Sequence, residues 1–113
     1  MRQFMRSKIH KATVTDADVN YIGSIEIDQD LLDKSGLMKG EKVLVTDNTN
    51  GARLETYVIP AERGSGKICM NGAAAHLIKT GDEIIIIGFE ISDKPVEQKN
   101  ILVDENNKFV KYL

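Results

Sequence analysis

Short apolar stretches, most of them alternating with polar positions, recur along the chain between breaks of glycine, asparagine and aspartate. Ser24-Ile-Glu-Ile27 places both isoleucines on one face, the two-residue period of a half-buried strand. Asp28 to Lys34 then predicts a short helical turn, with Asp28 or Asp30 as cap, Leu31 and Leu32 packed inward and Gly36 as the stop. Lys42 to Thr46 and Arg53 to Ile59 predict two strands flanking Asn48 to Gly51. Asn50-Gly51 is a strong hairpin signal because both residue types tolerate positive φ. Gly64-Ser-Gly66 predicts a loop, and Lys67 to Met70 a short strand. Ala73 to Ile78 predicts a short helix closed near Gly81. Ile84 to Ile91 is a nearly continuous β-branched run, expected to be buried on both faces. Leu102 to Lys111, interrupted by Glu105-Asn-Asn107, predicts a final hairpin. Many short strands with two brief helices argue for an all-β domain closed into a small barrel, which also removes exposed strand edges. The pattern leaves the strand order open.

Composition narrows the classes. With 113 residues, the chain is expected to form one domain, spanning 1–113. Acidic residues number 17 against 15 basic, a formal net charge of −2, which gives no electrostatic footprint for nucleic acid. The longest apolar run, Ile84 to Ile87, is far short of the ~20 residues that span a bilayer. The basic segment Met1 to Lys11 is followed by no apolar stretch, so a secretory signal is not expected. Cys69 is the only cysteine, which excludes an internal disulfide and fits a cytoplasmic protein. With His10 and His76 the only histidines, no metal site is expected. Cys69, His76 and the four methionines are assigned to packing.

Four places carry candidate chemistry. At Gly23-Ser24 the bland reading is a bend and a surface hydroxyl. The sharper one is attack of the Ser24 hydroxyl on the preceding carbonyl. Glycine leaves that carbonyl open and permits strained backbone angles. Elimination from the resulting ester, then hydrolysis, would leave a pyruvoyl ketone at a new N-terminus, an electrophile that the side chains lack. In a strand, Arg53, Glu55 and Tyr57 share a face. The arginine could grip a carboxylate, and the tyrosine, protonated at neutral pH, could donate a proton to a carbanion. The plain alternative is a salt-bridged arginine and a packed tyrosine. In Asn71-Gly-Ala-Ala-Ala75, small residues would allow close approach to a ligand and a helix start would offer N–H groups, or the alanines would simply pack. Lys8 and His10 would point the same way from a strand, with Lys8 a second cation for a dicarboxylate or part of a solvated basic face.

Together these words resemble the pyruvoyl-dependent aspartate 1-decarboxylase family: Lys8-Ile-His10, Tyr21-Ile-Gly-Ser24, Ile27-Asp-Gln-Asp30, Thr49-Asn-Gly51, Thr56-Tyr57, Ala61-Glu-Arg-Gly-Ser65, Asn71-Gly-Ala-Ala-Ala-His76 and Gly81-Asp82. They run in order from about Met1 to about Phe89, while the tail from Ile91 matches loosely. Ile22 and Ile25 flank the Gly-Ser pair where the family more often carries polar or small residues. Val45 to Asn48 lacks an aromatic that some members carry.

The resemblance implies a lyase that turns L-aspartate into β-alanine and carbon dioxide for pantothenate, and hence coenzyme A. It implies a six-stranded double-psi β-barrel, assembled as a cytoplasmic homotetramer with active sites between subunits. It implies a zymogen that cleaves itself between Gly23 and Ser24 into pieces 1–23 and 24–113. Ser24 would become the covalent pyruvoyl cofactor and form the Schiff base, with neither metal nor pyridoxal phosphate. Tyr57 matches the proton donor. Thr56, Gly72, Ala73 and Ala74 match substrate-contacting positions, Thr56 also assisting cleavage. Lys8 and Arg53 match cations that hold carboxylates, and Asn71 a polar group near the reacting centre. Strict alternation sets Thr56 on the face opposite Arg53 and Tyr57, which calls for a bulge or twist. Whether an accessory maturation protein assists cleavage stays open. Two other classes compete: a barrel used as a binding module, which would not need Gly23-Ser24 with Lys8, Arg53 and Tyr57, and a DNA-binding swapped-hairpin barrel, against which the acidic balance counts.

Overall fold

A computed structural model describes residues 1–113. In chain order the elements are β1 (Arg2–Thr13), β2 (Asp16–Asp18), β3 (Ser24–Asp28), α1 (Gln29–Ser35), β4 (Lys42–Asp47), β5 (Arg53–Ala61), β6 (Ile68–Asn71), a 3₁₀ turn (Gly72–His76), β7 (Glu83–Ser92), β8 (Lys99–Val103) and β9 (Phe109–Tyr112). The all-β expectation holds. The strands hydrogen-bond in the order β2-β6-β3-β5-β4-β7-β1-β8-β9, a ladder of nine. Its end strands do not pair with each other, so backbone pairing alone does not close it. Two further links join its distant parts: the Thr15 N–H, between β1 and β2, donates to the Ile68 carbonyl of β6 at 2.8 Å, and Asn107, in the β8–β9 turn, donates to the carbonyls of Thr13 and Gly66 and accepts from the Thr13 N–H, each at 2.8 Å.

The isoleucines of β3, Ile25 and Ile27, are both fully buried, as their alternation predicts. They join Ile9, Val43, Val45, Val58, Ile68, Met70, Ile84, Ile86 and Ile101 in one core. Each such side chain removed from water contributes roughly 1.5–3 kcal/mol. Helix α1 follows its signals: the Asp28 carboxylate accepts from the Asp30 N–H, and Gly36 ends the helix at φ 79°. No helix is long and apolar enough to cross a membrane.

Several local expectations change. Gly51 (φ 81°) is in the left-handed region but Asn50 is not. Asp47 Oδ1 instead accepts from the N–H groups of Thr49 and Asn50, which holds a longer loop with one left-handed residue. The helix after Asn71 is a five-residue 3₁₀ turn beginning at Gly72, too short to extend to Ile78. In β7, Ile84 and Ile86 are buried, but Ile85 and Ile87 are only half-covered and Ile91 is exposed. One face of β7 lines the core and the other is the outside of the sheet, so β-branched content reported strand and overstated burial. Met1, Met38 and His76 are exposed rather than packed.

Candidate active site

The antiparallel pairing of β3 with β6 builds the centre of the site. Its register sets Ser24 opposite Asn71 and Glu26 opposite Cys69. Residues two apart in a strand share a face, so these four side chains meet on one side of the ribbon. Asn71 Nδ2 donates to Ser24 Oγ at 3.0 Å and to Glu26 Oε1 at 3.0 Å. Asn71 Oδ1 accepts from Cys69 Sγ at 3.2 Å. Glu26 Oε2 pairs with Lys67 Nζ at 3.0 Å. Ser24 is fully buried and Asn71 is 2% exposed, so the hydroxyl is held away from bulk water.

The electrostatics follow from these contacts. Burial opposes ionisation of Glu26, but its bonds to Asn71 and Lys67 outweigh it and hold the carboxyl below its ordinary 4.5. Burial, joined by the Glu26 charge, pushes the Cys69 thiol up from 9.0, so it stays an S–H donor.

Beside this ribbon lies a cleft of about 370 Å³, lined by Gly23, Thr56, Tyr57, Asn71, Ala73 and Ala74 among others. Thr56 and Tyr57 both reach it although they lie on opposite faces of β5. No bulge reconciles them: β5 pairs with β4 from Lys42–Tyr57 to Thr46–Arg53 without a register shift. Pairing of β5 with β3 begins only at Val58, so the preceding edge of β5 is free and both faces border the cleft.

Gly72 lies directly against the Gly23 backbone. At φ +70°, a Cβ there would fall 2.8 Å from Gly23 Cα and 3.0 Å from Gly23 N. Gly23 itself is unstrained. Its φ is not positive and a Cβ on it would meet nothing within 4 Å. Gly23 therefore makes no use of the positive φ that glycine permits.

The two expected carboxylate-binding cations stand apart. Arg53 opens β5 on an exposed position and has no ion pair; the salt bridge of that face joins Lys42 to Glu55 at 3.1 Å. Lys8 sits on β1, with β4 and β7 between it and β5, and does not line the cleft. Sequence reasoning overlooked Glu26, and it assigned Cys69 to packing. Their two-residue offsets from Ser24 and Asn71 carry the signal, but only the β3–β6 register makes it legible.

A family model described as aspartate decarboxylase matches residues 1–110. The aspartate 1-decarboxylase of Bacillus velezensis is 52% identical over 116 residues, covering 99% of this chain and 91% of the relative. That of Acetivibrio thermocellus is 56% identical over 110 residues, covering 94% and 87%. That of Bacillus pumilus is 64% identical over 88 residues, covering 78% and 69%.

Proposed function

The chain belongs to the aspartate decarboxylase family, whose members convert L-aspartate to β-alanine, and from that premise we propose that it is a zymogen activated by self-cleavage between Gly23 and Ser24. The observation that carries the reading is the buried Ser24 hydroxyl, held by Asn71 beside a cleft that Gly23, Thr56 and Tyr57 line. The site fits a group made from residue 24, because Asn71 places an N–H donor on its side chain and the adjacent cleft, with Gly23, Ala73 and Ala74 in its wall, leaves room for a ligand.

Cleavage needs no outside reagent but water. Ser24 Oγ bonds to the Gly23 carbonyl carbon, the Gly23–Ser24 C–N bond breaks, and the hydroxyl proton passes to the freed nitrogen. Loss of the Ser24 Cα proton then breaks the Cβ–Oγ bond, with the electron pair leaving as the Gly23 carboxylate. Water replaces the nitrogen, which departs as ammonia. The resulting ketone supplies the electrophile and electron sink for decarboxylation.

The other residues bind, orient and transfer protons. Tyr57 faces the cleft and donates a proton to the substrate carbon that loses its carboxylate. Gly72, Ala73 and Ala74 let the substrate approach the backbone, and Thr56 contacts it and assists cleavage. Arg53 and Lys8 grip carboxylates and select a dicarboxylate over neutral amino acids. Because Lys8 does not line the cleft of its own chain, a neighbouring copy supplies it, in the homotetramer with shared sites proposed here. The six-stranded double-psi barrel is the closed core proposed within the nine-stranded ladder, and 1–113 is a single domain. The pathway role is β-alanine supply for pantothenate, in the cytoplasm.

Intact-mass spectrometry and β-alanine release test the reading. The expected result is two fragments split at Gly23–Ser24, the larger lighter by one ammonia than a serine-terminated chain. Ser24→Ala is expected to stay uncut and inactive. Full activity in Ser24→Ala overturns the proposal.

A further inference from the structure

An asparagine amide can face a neighbour with either end, and only the end presented decides what it can stabilise. Here both N–H protons of Asn71 are used, one on Ser24 Oγ and one on Glu26 Oε1. Its oxygen takes the Cys69 thiol. Glu26, ionised and paired with Lys67, can only accept, and the protonated thiol can only donate usefully. A flipped amide would set its oxygen against the Glu26 carboxylate and its N–H₂ against a donor. The two partners therefore enforce one orientation.

That orientation bears on cleavage. When the Cβ–Oγ bond breaks, negative charge grows on Oγ. A donor already aimed at the atom where charge develops stabilises that step without reorganisation. An amide oxygen in the same place would oppose it. We propose that Glu26, anchored by Lys67 and opposed by Cys69, is a positioning residue that holds the Asn71 N–H on Ser24 Oγ and so accelerates cleavage of the chain.

The inference rests on the self-cleavage reading, and the experiment separates the two. Full-length chains are isolated uncut, and cleavage is followed by intact mass against time. If the parent chain never cleaves, on prolonged warm incubation and with a maturation protein added, the self-cleavage reading fails and this inference with it. If it does, Glu26→Leu is expected to cleave roughly ten- to hundredfold more slowly, the preference that a charge-assisted hydrogen bond gives one orientation. Glu26→Gln leaves one oxygen for two donors, Asn71 and Lys67, and is expected to be slowed. Adding Lys67→Met removes the competing donor, so the double variant is expected to cleave faster than Glu26→Gln alone. A merely structural ion pair predicts the reverse, because the second substitution cannot restore it. Cleavage of Glu26→Leu at the parental rate overturns the proposal. If that variant fails to fold, absence of rescue in the Glu26→Gln, Lys67→Met pair overturns it instead.

Discussion

Replacing Gly72 with alanine probes the closest approach in the site. The added Cβ would lie 2.8 Å from Gly23 Cα and 3.2 Å from the Tyr21 carbonyl oxygen. Non-bonded carbons settle at roughly 3.5–4.0 Å, so one backbone must move by about 1 Å. Neither neighbour is a flexible side-chain end. The left-handed φ of +70° adds a second cost, about 1–2 kcal/mol for any residue with a Cβ. Overpacking contributes about 1–3 kcal/mol, for a total near 2–5 kcal/mol. Gly81→Ala separates the two: its φ is +93° but its Cβ would meet nothing within 4 Å, so it reports strain alone. Urea unfolding would be measured for both in a Ser24→Ala background, where the chains stay intact and midpoints compare directly. Cleavage would be followed separately with Ser24 present. Displacing the scissile peptide by about 1 Å is expected to slow it roughly a hundredfold. If Gly72→Ala loses no more stability than Gly81→Ala and cleaves at the parental rate, the close packing of Gly72 on Gly23 has no role in placing that bond.

Other outcomes test the remaining roles. Tyr57→Phe is expected to cleave normally but to turn over aspartate about 10²–10⁴-fold more slowly, and an unchanged kcat removes Tyr57 as proton donor. Arg53→Gln is expected to raise KM for aspartate roughly ten- to hundredfold with kcat nearly constant; a fall in kcat at constant KM refutes a carboxylate-binding role. Asp28 links the fold to pH. Burial opposes its ionisation, yet bonds from the Gly66, Asp30 and Gly64 N–H groups prevail and hold it below its ordinary 3.8. A depressed folded pKa stabilises above the unfolded value and is lost as pH falls through the folded one. Urea midpoints should therefore decline as pH drops below about 4. Asp28→Asn should lose about 1–3 kcal/mol at pH 7 and show a flatter acid limb; an unchanged acid limb contradicts this assignment.

Local chemistry was legible in the chain because local rules decide it. The alternation of Ile25 and Ile27, the Asp28 cap and the Gly36 stop each act over a few residues, and each element formed where expected. Gly23-Ser24, Thr56-Tyr57 and Asn71 to Ala74 were visible as words; Gly23, Thr56, Tyr57, Asn71, Ala73 and Ala74 line one cleft, while Ser24 and Gly72 are buried beside it. What depends on a neighbour was not legible. The half-covered Ile85 and Ile87 reflect that one face of β7 is the outside of the sheet, a fact that their own β-branched side chains do not encode. Thr56 and Tyr57 share a cleft because β3 stops pairing with β5 at Val58. The Glu26–Asn71–Cys69 cluster depends on a register 45 residues apart in sequence, where a slip of one would turn every side chain to the other face. The sequence by itself determined strands and caps and displayed the Gly23-Ser24 pair as a word, because periodicity and backbone propensity are properties of short segments. Only the tertiary structure decided which hydroxyl is buried, which amide end faces it and which cations stand off, because distance between strands is set by pairing and not by order along the chain.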